Sequence, residues 1–113
     1  MDAKEFVACW KCEKEMLLKQ FQDPESGSAV AEAITALNLS QEQTCLMNQI
    51  LDSALTDAFY TLLTGLDGGA SLGGVQQTYK IYDEQDELLS DCGEIEAAAW
   101  DAFHGDREDT DEI

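Results

Sequence analysis

Cys9-Trp10-Lys11-Cys12 brings two thiols into one short segment. A C-x-x-C at the start of a helix can act as a redox couple, because the helix dipole lowers the thiol pKa, or as half of a zinc site. Both chemistries need a setting. Thioredoxin-like exchange places the motif after a strand in a βαβ unit, whereas only a short leader precedes this one. A four-thiolate zinc site has to recruit Cys45 and Cys92, which are isolated and lack the paired spacing of zinc ribbons. Three positions apart on a helix, Cys9 and Cys12 share a face, where thiols pack as small apolar groups. Structural cysteines with no metal and no cofactor are the expectation, with metal or redox chemistry at Cys9 and Cys12 as the open alternatives.

Three further segments invite a chemical reading. From Asp83 to Glu94 the chain has the length of an EF-hand loop with acids at its first and twelfth positions, but Leu88 stands where the loop needs glycine and Gln85 holds the third position. The glycine-rich run Gly65 to Gly74 follows a helical pattern instead of joining a strand to a helix, and no Lys-Ser/Thr follows it, so it reads as a helix stop and turn. His104 is the one histidine, and no serine or cysteine has an evident base beside it. The sequence assigns no catalytic residue and predicts a protein that is not an enzyme.

The distributed signal is charge. Against 6 bases stand 24 acids, giving -18 and a pI near 4.1. Residues 1–20 are neutral, so residues 21–113, with 20 acids and 2 bases, carry the whole imbalance. Such a field repels nucleic acid and anionic membrane and draws cationic partners from a distance. Residues 80–113 hold 13 acids and 2 bases, interleaved with Tyr79, Tyr82, Trp100 and Phe103. Carboxylates around aromatic anchors suit a protein-binding surface, in which charge sets capture rate and rings give contact area. The expected contact residues are Tyr82, Asp83, Glu84, Asp86, Glu87, Asp91, Glu94 and Asp101. A solvated segment with its aromatics facing the core is the equal alternative.

These residues need elements to position them. Leu39 to Asp67 repeats apolar residues at three- and four-residue steps, from Leu46 and Ile50 through Phe59 and Leu63 to Leu66, and predicts one long central helix. Ser40 with Gln43 forms its capping box and Gly68-Gly69 its stop. A first helix is expected over Asp2 to Gln22, broken at Asp23-Pro24, and a short one from Ser28 to Leu37. Val75 to Tyr82 alternates with period two and, with Glu87 to Ser90, predicts a small β-hairpin over about 75–90. Glu94 to His104 predicts a final helix, and Gly105 to Ile113 an acidic mobile tail. The expected class is α+β, mainly α: an antiparallel helical bundle around one long central helix with a small β-hairpin and a C-terminal helix, residues 1–105 one domain and 106–113 the tail. No run approaches the roughly 20 apolar residues of a membrane span, and MDAKEFVACWKCEKE has no uninterrupted apolar core, so a cytoplasmic location is expected.

FYTLLTGLDGGASLGG, VQQTYKIYDE and EIEAAAWDAFHG, within residues 58 to 105, resemble in texture the small acidic bacterial immunity-type proteins encoded beside secreted or contact-dependent toxins. The resemblance implies a non-catalytic inhibitor that caps the active site of a cognate basic toxin, often a nuclease. It carries over no binding residue. The alternative is a DNA mimic, such as an anti-restriction or anti-CRISPR inhibitor of a DNA-binding protein, which requires carboxylates spaced like phosphates, one charge per about 1.7 Å of duplex axis.

Overall fold

In the computed structural model, which describes residues 1–91 and 93–111 with the side chains of 106–111 left out, the chain forms four helices: α1 (Ala3–Gln22), α2 (Ala29–Ala36), α3 (Gln41–Leu66) and α4 (Glu94–Asp111). α4 continues past the expected end at His104 to Asp111, over positions expected to form the tail; the side chains of 106–111 and the whole of 112–113 lie outside the described residues. The helix starts follow from short polar caps. Asp2 accepts the Glu5 N–H (2.8 Å), Ser28 the Ala31 N–H (3.0 Å) and Ser40 the Gln43 N–H (3.2 Å), while the Gln43 side chain returns an acceptor to the Ser40 N–H (2.9 Å). Proline ends α1 by holding Asp23 extended (φ -99°, ψ 110°), and the Ser26 hydroxyl donates to the freed Gln20 carbonyl (2.7 Å).

The end of α3 also positions α4. Gly68, at φ 83°, donates to the Gly65 carbonyl (3.2 Å) and Gly69 to that of Thr64 (3.0 Å), a Schellman closure that only a residue free of Cβ strain enters at no cost. Asp67, the C-cap of α3, then reaches 29 residues along the chain and accepts the Glu96 N–H of α4 on Oδ2 (2.9 Å). Its Oδ1 is buried and has no partner among the described residues. One carboxylate thus joins the last turn of one helix to the first turn of another, where the free N–H groups and the helix dipole favour negative charge. Asp67→Ala is expected to lower stability by about 1–2 kcal/mol, and Asp67→Asn, which keeps an acceptor, by less. A urea titration followed by tryptophan fluorescence measures both.

The dry core lies at one end. Leu63 and Ile95 are fully buried, Val7 nearly so, and Ala3, Leu89, Ala99 and Phe103 complete the cluster. Phe6, Trp10 and Phe59 pack against it and end on Phe103 as three successive edge-to-face pairs with centroids 6.1, 5.6 and 6.2 Å apart. α1 is the one helix that packs on all three others; α3 packs on α1 and α4, and α2 mainly on α1. Lys14 of α1 is buried at the α1–α3 seam with its ammonium on Asp52, and it also lies 3.5 Å from Glu15. The opposite end is thin: Met16, Leu37, Leu46 and Ile50 are each more than half exposed. A radius of gyration of 16.5 Å exceeds the roughly 13 Å expected for a compact chain of this length.

The predicted hairpin does not form. Among the described residues there is no β-strand, only isolated bridges between Leu72 and Val75 and between Tyr82 and Leu88. The class is therefore helical, without the β component. Pairing around Tyr82 stops after two bonds, Asp83 N–H to the Glu87 carbonyl (3.0 Å) and Leu89 N–H to the Ile81 carbonyl (2.7 Å). The next ladder positions are taken by a side chain: the buried Ser90 hydroxyl accepts from Ile81 N–H (3.0 Å) and donates to the Tyr79 carbonyl (2.7 Å). Val75 (57% exposed), Gln77 and Thr78 face solvent, and of the alternating segment Ile81 reaches the core, so its first half has no apolar surface to lie on.

Candidate protein-binding surface

The eight residues singled out in the sequence separate into three groups. Asp83 is committed to the fold. Its Oδ1 accepts the N–H groups of Gln85 (2.8 Å) and Glu87 (3.0 Å), and its Oδ2 lies 3.0 Å from the Met1 ammonium, with the side chain only 7% exposed. This is an Asx turn, and it lets Asp86 take a positive φ of 63°. Glu84, Asp86, Glu87 and Asp91 are exposed around that turn, and Tyr82 is 53% exposed. Glu94 and Asp101 are exposed on α4, two turns apart on one face. The expected aromatic anchors divide likewise: Tyr82 and Trp100 (47% exposed) reach the surface, Tyr79 is half-buried and Phe103 belongs to the core. Trp100 is steadied by Tyr60 and His104, with ring centroids 5.9 and 4.8 Å away, and Tyr60 and His104 stand 4.6 Å apart.

The turn at Asp83 titrates from both sides. The Glu87 N–H bond first, and the Met1 ammonium second, hold the Asp83 carboxyl below the usual carboxylate range; burial opposes them. The hydrogen bond to Asp83 raises the Met1 ammonium above its usual range, again against burial. A carboxyl with a lowered pKa stabilises the fold above its unfolded value and loses that contribution as pH falls through the folded one. A raised ammonium contributes below its unfolded value and loses it as pH rises. The turn should therefore stay closed through neutral pH and loosen in acid as well as in alkali. NMR titration of the Gln85 and Glu87 amides is expected to show both transitions, the acid one below the ordinary carboxylate midpoint.

The fold adds a feature that the sequence did not reveal. α1 and α4 enclose a groove of about 670 Å³ with a floor of Ala3, Val7, Ala8, Ala97, Ala98 and Ala102. Asp2, Glu94 and Asp101 stand in its walls, together with Lys4. Met1 links the groove to the Asp83 turn, since Asp2 lines one and the preceding ammonium is bound by the other. The i, i+7 spacing of Glu94 and Asp101 with alanines between them was legible; that α1 would supply the opposite wall was not. α3 presents a second apolar feature, the ridge Leu46, Ile50, Ala54, Ala58 and Leu62, every fourth residue and each exposed.

Cys9, Cys12 and Cys45 are free and exposed, and Cys92 lies outside the described residues. Cys9 borders a shallow hollow with Phe6, Trp10, Glu13 and Phe59. Among the described residues no group of three or more His, Cys, Asp or Glu is placed to hold a metal ion, and no helix is long and apolar enough to cross a membrane. No protein-family model, curated protein or solved structure matches the chain.

Proposed function

We propose that this chain is a non-catalytic immunity or antitoxin protein, which binds a cognate cationic toxin domain and occludes its active or substrate-binding face in the cytoplasm of the producing cell. A nuclease is the toxin class whose chemistry fits best, because it must present cations to a phosphate backbone and an acidic protein can occupy that surface. The observation that carries the reading is the charge asymmetry: 20 acids against 2 bases after residue 20, on a chain whose first 20 residues are neutral. Supporting it are exposed large apolar groups, Tyr82 and Trp100 near the acids and Leu46 and Ile50 on α3, of the kind that mark protein contact sites when they gather into patches. A DNA mimic needs an even row of carboxylates. Here, of the seven acids singled out, Asp83 is spent inside its own turn and the other six are divided between that turn and one face of α4.

Co-expression tests the proposal. The chain is expected to restore growth to cells making the basic toxin encoded beside it and to give no protection against unrelated toxins. Absence of protection, or equal relief of many unrelated DNA-binding proteins with duplex DNA as competitor, overturns it.

A further inference from the structure

We infer that the α1–α4 groove is the seat of a basic amphipathic helix supplied by the partner, an inference that rests on the toxin-binding reading and specifies its contact. The groove is apolar at its floor and anionic in its walls, with three carboxylates against the single ammonium of Lys4. Alanine makes up five of the six floor positions. Short side chains on both helices let a third helix axis come close, since interaxial distance is set by the residues at the contact. Val7 is the one larger floor residue, and it is 1% exposed, already turned into the core.

The spacing on α4 fixes the occupant further. Glu94 and Asp101 are seven residues apart, about 10 Å along the axis, with Ala97 and Ala98 between them at the intervening turn. A helix lying along the groove meets this pattern with Lys or Arg at i and i+7 and medium-sized apolar residues at i+3 and i+4. The cations then face the two carboxylates while the apolar pair covers the alanines. A second copy of this chain is disfavoured as occupant, because each copy brings a charge of -18 and α3, its longest apolar helix, carries three acids and no base.

The test uses the full-length chain and two end-blocked 15-residue peptides of one composition. One has lysines at i and i+7 with leucines at i+3 and i+4; the other has the same lysines moved off that face. Anisotropy at 150 mM salt is expected to show the first binding at least tenfold tighter than the second, and Ala97→Trp, at an exposed floor position, weakening it at least tenfold with the circular dichroism spectrum unchanged. Equal binding of the two peptides, or an Ala97→Trp chain that binds as well as the parent, overturns the groove assignment. Titrating both chains with the basic toxin encoded alongside separates the two levels. If Ala97→Trp binds the toxin normally, the groove is wrong and the toxin-binding reading stands; if neither chain binds it, the broader reading falls.

Discussion

Leu63→Ala is expected to destabilise the domain by about 2–5 kcal/mol, the range for truncating a fully buried leucine whose surroundings cannot collapse into the space. Leu63 has no exposed surface and sits where the last turns of α3 meet Val7 of α1 and Ile95 of α4. With a total stability of about 5–15 kcal/mol for an ordinary domain, and with self-repulsion of the uncompensated acids working against compaction, this one change brings the chain close to unfolding at room temperature. Ile50→Ala supplies the contrast, because Ile50 is 60% exposed on the same helix and surface truncations usually stay within about 0.5 kcal/mol. Trp10, packed edge-to-face on Phe59 one turn before Leu63, reports both unfolding curves. Equal losses for the two variants would place the core elsewhere.

The second large effect concerns association. Reversing Glu94 and Asp101 to lysine together is expected to slow capture of the proposed basic partner by about 10- to 100-fold at low salt, since complementary fields act mainly on the encounter rate. Each reversal adds two charges, so the net charge moves only from -18 to -14. A general loss of acidity therefore cannot account for a drop of that size, and a local contact can. Glu94 lies in the first turn of α4, where a lysine costs up to about 1 kcal/mol against the helix dipole. Glu94→Gln with Asp101→Asn is the control, expected to give a smaller slowing at undiminished stability. Stopped-flow fluorescence of Trp100, which stands next to Asp101 and is half exposed, reads the rates.

Much of this architecture was written locally in the chain. Asp2, Ser28 and Ser40 as caps, Pro24 as a break and Gly68 as a left-handed stop each act within a few residues, and the first three helices lie where those signals place them, whereas α4 starts at Glu94 as expected but runs seven residues past His104. Val75 to Tyr82 pairs too little for a hairpin because its alternation is a statement about side chains, whereas pairing is decided by backbone partners, and Ser90 takes two of those. The apolar residues of α3 do not all face the core. In the fold its i, i+4 row from Leu46 to Leu62 stays outside, since α2 packs mainly on α1 and leaves that row uncovered. Lys14 shares the core-facing side of α1 with Val7, and only the position of Asp52 on α3 explains its burial. Of the candidate surface, the acids were legible as composition. Which of them remain free, and that alanines of two helices would meet to form a groove, depended on long-range packing of α1 against α4.

Stoichiometric occlusion of a cationic protein is the action proposed for this acidic chain. The decisive measurement titrates purified chain into the proposed cognate toxin and follows toxin activity at 50 and at 500 mM salt. The predicted result is complete inhibition at one equivalent at low salt, an affinity at least tenfold weaker at high salt, and full recovery of toxin activity on dissociation. Inhibition by substoichiometric chain, a toxin left altered after the chain is removed, or no inhibition at any ratio would contradict the claim.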